Sequence, residues 1–278
     1  MAGGGGLVRR RAPAVAGTFY PAQSAPLLAA VTALLEPAVA AEPAVAAMAP
    51  HAGYVYSGHT AGRVFAALDV PRRCIVVAPN HTGEGEAAHG GSVCALGVFA
   101  TPMGDVPVDE PLAAILLAEC PYLEDDPKAH RREHAVEVEL PFLLARRPDL
   151  TIVPVVVGWS DWPRTRALGE ALARTVERAG EPVLLVASSD MTHYEPAAEA
   201  QRKDRLALAE LERLDGETLL DVTRRHRVTM CGRVPAAAVA HAARLLGASA
   251  GRVVETSHSG MVTGDDRSVV SYAGMVMR

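Results

Sequence analysis

The sequence predicts an α/β fold, a layered sandwich with a central, largely parallel sheet flanked by helices. Short apolar runs of strand length alternate with longer segments whose apolar residues recur at helical spacing, as in layered α/β domains. The short runs are apolar throughout, as expected for strands that are buried on both faces. The predicted core strands are residues 44–48, 74–78, 151–157 and 183–188.

The helical segments carry charged residues on the side opposite their apolar stripe. Gly180 is the expected stop of one of them. Segment 90–109 resembles an inserted β-hairpin, because small and apolar residues alternate around the turn sequence PMGD, and two further strands are predicted at 251–260 and 267–277. The predicted helices are residues 57–68, 137–147, 162–180 and 198–214.

Length and composition are consistent with one domain spanning 1–278, with residues 1–10 expected to be flexible. The net charge of -5 and the scattered Lys and Arg residues argue against nucleic acid and anionic membranes as partners. No secretory h-region follows the N-terminal glycines, and no apolar run is long enough to span a bilayer, so a cytoplasmic protein is expected.

Polar residues follow several of the predicted core strands. His51 follows the first strand, His81 the second, and both Asp190 and His193 follow the fourth. Because the carboxyl ends of parallel strands meet at one edge of a sheet, we expect these groups to converge in one crevice. A lone loop histidine is more often a surface or capping residue, and Asp190 alone fits a helix N-cap. The convergence of the whole set favours a functional site.

Two imidazoles with one anionic ligand suit a divalent transition metal such as iron, copper or zinc. The anion is either Asp190 or Cys231. Cys231 stands just before a predicted helix, where a thiol pKa is commonly lowered, but an inert buried cysteine is an equal alternative. The other cysteines are far apart in sequence and form no CxxC pair, which argues against a zinc ribbon or disulfide framework.

An acidic cluster crowds the predicted start of the helix at 137–147, where Glu133, His134, Glu137 and Glu139 lie close in sequence. Acidic groups at a helix start favour the helix dipole, which is one interpretation. The other is an acid pair, Glu133 and Glu137, one helical turn apart and supporting the site.

Six ordered motifs resemble those of the Memo family, whose prokaryotic members are called AmmeMemoRadiSam system protein B. That family is similar in fold to the class III extradiol dioxygenases, which are non-haem iron(II) enzymes. The motifs are PAVAGTFYP (13–21), PHAGYVYSG (50–58), PNHTG (79–83), REHAVEVELPFL (132–143), SSDMTHY (188–194) and CGRVP (231–235).

The resemblance implies a set of site residues. His51 and His81 would be metal ligands, and Cys231 would take the third place that a glutamate holds in the dioxygenases. His193 would match the acid/base histidine, with Asp190 beside it. Further candidates for substrate binding are Tyr54, Tyr20 and Glu137; packing is an equal interpretation of Tyr54.

The favoured hypothesis is a metal-dependent redox enzyme, with Fe(II) as cofactor and copper or zinc as alternatives, acting on a small substrate for which an aromatic compound is one candidate. The family name implies a pathway shared with radical SAM and AMMECR1-like proteins as partners. Thiolate in place of carboxylate argues against simple transfer of the dioxygenase reaction. The alternatives are a non-catalytic metal- or peptide-binding scaffold and a hydrolase or transferase with Cys231 as nucleophile.

Overall fold

The computed structural model describes residues 9–36 and 40–278. Residues 1–10 were expected to be flexible. Residues 1–8 lie outside the described range, and Arg10 belongs to a short strand. Within the described residues, no helix is both long and apolar enough to cross a membrane.

Twelve strands and nine α-helices follow one another along the described chain. The strands are β1 (Arg10–Arg11), β2 (Ala46–Ala49), β3 (Arg73–Pro79), β4 (Gly91–Val93), β5 (Val98–Thr101), β6 (Gly104–Pro107), β7 (Leu123–Asp125), β8 (Thr151–Val157), β9 (Val183–Ser188), β10 (His193–Glu195), β11 (Gly251–His258) and β12 (Val269–Met277). The helices are α1 (Ser24–Leu34), α2 (Tyr54–Ala66), α3 (Glu110–Glu119), α4 (Leu140–Arg146), α5 (Trp162–Arg178), α6 (Ala197–Glu212), α7 (Gly216–Arg225), α8 (Arg233–Leu245) and α9 (Gly260–Thr263).

The main sheet is mixed, with a parallel centre. Its strand order is β10-β12-β2-β9-β3-β8-β4-β7, and β11 pairs with β12. The four central strands β2, β9, β3 and β8 run parallel. Antiparallel pairs flank them, since β12 joins β2 and β4 joins β8 in that sense. The predicted α/β sandwich is therefore confirmed, with antiparallel strands at its edges.

The central strands are apolar throughout because both faces of the sheet are covered. On β3, Ile75 and Val77 enter one core, while Cys74, Val76 and Ala78 enter the other. Such strict alternation follows from the period of two along a strand. The first core includes residues of α3, α5, α7 and α8, and the second includes residues of α1, α2 and α4. This rigid frame fixes the loops at the carboxyl edge.

The four predicted core strands are present within two residues of their expected ends. The 90–109 segment is divided: β4 joins the main sheet, while β5 and β6 form a hairpin that pairs with β1 in a separate small sheet. The 137–147 segment opens with a 3₁₀ turn, Glu137–Glu139, before α4. Helices α1, α3, α7 and the short α9 were not predicted. The first two are apolar or alanine-rich over much of their surface, so they lack a distinct helical stripe.

Candidate metal centre

Three neighbouring parallel strands deliver polar residues to one edge of the sheet. His51 lies two residues past the end of β2, His81 two residues past β3, and Asp190 two residues past β9. Since β9 pairs with both β2 and β3, the three loops leave the sheet side by side. The structure thus brings His51, His81 and Asp190 together as the parallel topology predicts.

His134 joins these loops and completes a cluster of three imidazoles. One ring nitrogen from each of His51, His81 and His134 lies within 4.8 Å of the others. The ring centroids are 5.1 Å apart for His51 and His81, 5.5 Å for His51 and His134, and 4.9 Å for His81 and His134. Sequence reasoning did not assign His134 as a ligand, because it comes from the loop before α4 and not from a strand end.

Hydrogen bonds to Nδ1 orient two of the three rings. His51 Nδ1 lies 2.8 Å from Ser188 Oγ, and His81 Nδ1 lies 2.9 Å from Glu133 Oε1. Because Nδ1 is hydrogen-bonded in both His51 and His81, Nε2 is the ring nitrogen that remains for binding a metal. Partners of this kind fix the tautomer and direction of a metal-binding histidine.

Glu133 holds two of the histidine-bearing segments together. Its carboxylate accepts hydrogen bonds from the backbone N–H groups of His81, His134 and Ala135 as well as from the His81 ring. Burial alone would raise its pKa, but these bonds and the nearby His81 lower the pKa of Glu133 below its ordinary value. Glu133 precedes the 3₁₀ turn, so it shares no helical face with Glu137.

Burial and the neighbouring Glu133 carboxylate set the protonation of the three imidazoles. It lowers the pKa of His51 far below the ordinary value, and the neighbouring histidines lower it further. Burial also lowers the pKa of His134. For His81, burial is outweighed by the hydrogen bond and charge of Glu133, so the pKa is raised. His51 and His134 are therefore neutral and have lone pairs available, as metal ligation requires.

Cys231 contacts the histidine cluster at His51. Its Sγ is 3.3 Å from His51 Nε2 and accepts a hydrogen bond from the Asp190 N–H at 3.2 Å. Burial, followed by the charge of Asp190, raises the pKa of this thiol far above the ordinary value. The direction is opposite to the lowering expected at a helix start, because desolvation dominates. A metal at the histidines would have to displace the thiol proton before Cys231 could bind it.

Asp190 supports the first ligand loop through backbone contacts. Its Oδ1 accepts hydrogen bonds from the N–H groups of His51 at 2.9 Å and Ala52 at 3.3 Å. Burial raises the pKa of Asp190 to about 6, although these hydrogen bonds and nearby histidines oppose the rise. The carboxyl therefore sits at the cluster as a group able to exchange a proton near neutral pH.

His193 belongs to β10 and lines the same cavity as the ligand loops. Its Nδ1 is 2.8 Å from the carbonyl oxygen of Met191, and its backbone N–H donates to Thr229 Oγ1 at 2.7 Å. A carbonyl oxygen can only accept, so Nδ1 carries hydrogen and Nε2 is the atom available for proton transfer.

A cavity of about 540 Å³ opens onto these groups. The three imidazoles, Asp190 and His193 line it together with several aromatic rings. This volume and lining match a small-molecule site, in which apolar walls surround a few polar groups. The aromatic residues are Phe19, Tyr56, Tyr194 and Tyr272.

Three predicted substrate contacts lie outside the cavity lining. Tyr54 donates its hydroxyl to the carbonyl oxygen of Val138 at 2.8 Å. Tyr20 donates to Glu137, which also pairs with Arg11. The fully buried Glu137 therefore fastens the N-terminal segment to the start of α4. Substrate binding by Tyr54, Tyr20 and Glu137 stays a prediction.

The donor set fits a transition metal. Imidazole nitrogens suit iron, copper and zinc, and an adjacent thiol adds a softer donor, whereas magnesium and calcium prefer oxygen ligands. Hydrogen-bonded Nδ1 atoms on His51 and His81 add the support that metal-binding histidines usually have. Together, the fold and this cluster define an α/β protein with a candidate divalent-metal site.

Comparisons with known proteins give the family. Residues 11–276 match the family model described as Memo-like protein. A MEMO1 family protein of Aquifex aeolicus is 41% identical over 273 residues, covering 97% of this chain and 99% of the relative. The MEMO1 family protein MK0963 of Methanopyrus kandleri is 37% identical over 284 residues, covering 96% and 99%. The chain belongs to the Memo-like family.

A solved structure supports the fold. The uncharacterized protein JW3007 from Escherichia coli K12 is similar with a TM-score of 0.53 at 16% identity, covering 82% of this chain and 98% of that one. At this identity the likeness concerns the architecture alone.

Proposed function

We propose that this Memo-like protein is a metal-dependent redox enzyme that uses iron(II) and acts on a small aromatic substrate. The observation that carries the proposal is the cluster of His51, His81 and His134, whose donor nitrogens lie within 4.8 Å at the wall of a cavity lined by aromatic rings. Copper and zinc are the alternative metals, since they prefer the same donors.

Iron(II) bound there would supply electrons and open positions for substrate oxygens. The protein's own groups do the rest. His51, His81 and His134 would hold the ion, and Cys231 would add a thiolate donor once its proton leaves. His193 moves a proton through Nε2, because its Nδ1 is held by the Met191 carbonyl. Asp190 orients the His51 loop.

The cavity favours an aromatic substrate. Four aromatic residues line it: Phe19, Tyr56, Tyr194 and Tyr272. Aromatic pairs contribute about 0.5–1.5 kcal/mol beyond the area that they bury. We further propose that radical SAM and AMMECR1-like proteins act in the same pathway. This part of the proposal rests on the family resemblance alone.

Metal analysis after anaerobic purification tests the proposal. Wild type should carry iron near one equivalent, whereas His51→Ala, His81→Ala and His134→Ala should lose most of it. Cys231→Ala should retain metal with lower affinity, because three imidazoles remain. His226→Ala, which changes an exposed histidine at the end of α7, is the matched control and should keep its metal.

Equal and negligible metal in wild type and variants would contradict the proposal. A metal-free protein whose Cys231 is labelled by an electrophile, with activity unaffected by chelators, would favour the cysteine nucleophile instead. The 3.3 Å contact between Cys231 Sγ and His51 Nε2 is compatible with such a pair.

A further inference from the structure

Glu139 is a fully buried carboxyl behind the metal centre. It ends the 3₁₀ turn Glu137–Glu139, and none of its surface is exposed. Its Oε1 lies 2.8 Å from Ser188 Oγ. Within the described part of the chain, its Oε2 has no hydrogen-bond partner. An ionised carboxylate with an unpaired buried oxygen would be costly, so the group needs another explanation.

Ser188 connects this carboxyl to the first candidate ligand. Its Oγ makes three close contacts, at 2.8 Å to His51 Nδ1, 2.7 Å to the Ala135 carbonyl oxygen and 2.8 Å to Glu139 Oε1. A serine hydroxyl has one proton to donate and two lone pairs to accept with. Three contacts therefore use its full capacity.

The proton count has one solution that satisfies all three contacts. The Ala135 carbonyl can only accept, so the Ser188 proton goes there. The two lone pairs of Ser188 must then accept, one from His51 Nδ1–H and one from a hydrogen on Glu139 Oε1. An ionised Glu139 would leave two acceptors facing each other at 2.7 or 2.8 Å.

We propose that Glu139 is a positioning residue: a protonated carboxylic acid that, through Ser188, holds His51 in the Nδ1–H tautomer and points its Nε2 lone pair at the metal site. The His51 tautomer and the protonated state of Glu139 are inferred from the hydrogen-bond geometry. Only the statement that they prepare His51 for a metal rests on the proposed function. A hydroxyl alone could rotate and accept or donate toward His51. Because the Ser188 hydroxyl donates to Ala135 and accepts from Glu139, it can only accept a hydrogen bond from His51.

The electrostatic surroundings agree with this assignment. Burial raises the pKa of Glu139 well above the ordinary value, and the nearby Asp190 carboxyl adds to the rise. A neutral acid also explains the unpaired Oε2, because a neutral carbonyl oxygen costs far less to bury than a charged one.

The metal-free wild type provides the first test. Nitrogen-15 NMR should show His51 with hydrogen on Nδ1 and a bare Nε2. Infrared spectroscopy should show a carboxylic acid C=O band at neutral pH that disappears in Glu139→Gln. A His51 ring protonated on Nε2, or no acid band that depends on Glu139, would overturn the proposal.

Cobalt(II) binding to the variants provides the second test. Glu139→Gln keeps a neutral N–H donor toward Ser188 and should bind cobalt(II) within about threefold of wild type. Glu139→Leu and Ser188→Ala remove the lock and should weaken binding about 10- to 100-fold, with a changed visible spectrum. Thr175→Val, which removes another fully buried hydroxyl in α5, is the matched control and should bind as wild type.

The outcomes separate the two proposals. Wild-type affinity in both Glu139→Leu and Ser188→Ala, or a Glu139→Gln variant as weak as Glu139→Leu, would overturn the role of Glu139. If wild type binds no metal, the proposed function fails, while the NMR and infrared results still decide the tautomer and the protonated acid. If Glu139→Leu does not fold, Glu139→Gln and the spectra of wild type remain decisive.

Discussion

At the scale of single residues, the metal centre depends on groups that hold the imidazoles in place. Ser188 lies behind His51, and Glu133 lies behind His81 and beside His134. The two supports differ in charge. Burial would raise the pKa of both carboxyls. The N–H donors and the His81 ring around Glu133 outweigh burial and lower its pKa, whereas Glu139 has no such donors among the described residues and its pKa is raised by burial. The identity of the neighbouring donors decides which buried carboxyl is ionised.

Glu133→Gln should damage the site even though the side chain keeps its shape. An amide has a single acceptor oxygen, and its NH₂ group would face backbone N–H donors now bound by the carboxylate. We expect a stability loss of about 1–3 kcal/mol from unsatisfied donors and cobalt(II) binding weakened about 10- to 100-fold. Denaturant unfolding and cobalt titration measure the two effects.

Glu177→Gln on the exposed face of α5 is the control and should change neither quantity. A Glu133→Gln variant that binds cobalt(II) like wild type would show that the carboxylate does not organise the ligands.

At the scale of elements, β10 places Tyr194 at the mouth of the cavity. The register between β10 and β12 shifts between His193 and Glu195, and Tyr194 has a φ of 59°. The left-handed region is costly for a side chain with a Cβ. Bulges of this kind re-aim side chains beside active sites, and here Tyr194 lines the cavity with 79% of its surface exposed.

Tyr194→Gly should cost no stability, although it removes a large side chain. Glycine adopts a positive φ without the steric cost of about 1–2 kcal/mol, and its greater freedom in the unfolded chain offsets part of that gain. Binding of catechol, used as an aromatic probe with the cobalt(II)-loaded protein, should weaken about two- to tenfold as one ring contact is lost. Thermal unfolding and a binding titration test the two parts.

Tyr194→Ala separates strain from contact. This variant loses the ring but keeps a Cβ at a positive φ. It should therefore weaken catechol binding as much as Tyr194→Gly does, without the gain in stability that glycine brings by relieving the backbone strain. Unchanged catechol binding in both variants would exclude Tyr194 from the substrate-binding surface.

At the scale of the whole molecule, the centre joins segments that are distant in the sequence. The hydrogen bond between Ser188 and Glu139 spans 49 positions, and the contact of His51 with Cys231 spans 180. A metal at this point bridges loops after β2 and β3 to the segment before α4, so it stabilises the folded state against the unfolded chain.

Metal addition should therefore raise the melting temperature. At a free concentration of 100 times Kd, a ligand specific to the folded state adds about 2.7 kcal/mol to the free energy of unfolding. For a chain of this size we expect an increase of about 5–10 °C. Differential scanning calorimetry with and without cobalt(II) measures it, and His134→Ala should lose the shift. An equal shift in His134→Ala would place the metal elsewhere.

The central strands and the polar residues at their ends could be predicted because their signals are local. A strand that is buried on both faces is apolar throughout, and His51, His81 and Asp190 follow such strands directly. The antiparallel pairing at the edges of the sheet could not be predicted from the sequence. The direction in which β4 and β12 pair depends on where their connections place them, and no local pattern records it.

By itself, the sequence determined the layered α/β architecture, the family motifs and the convergence of His51, His81 and Asp190, because burial and chain direction are encoded in short segments. Only the tertiary structure decided that His134 completes the cluster, that Glu133 and Ser188 hold its rings, and that burial raises the Cys231 pKa despite the nearby helix. Desolvation and hydrogen-bond capacity depend on every group packed around a side chain, and those groups come from all parts of the chain.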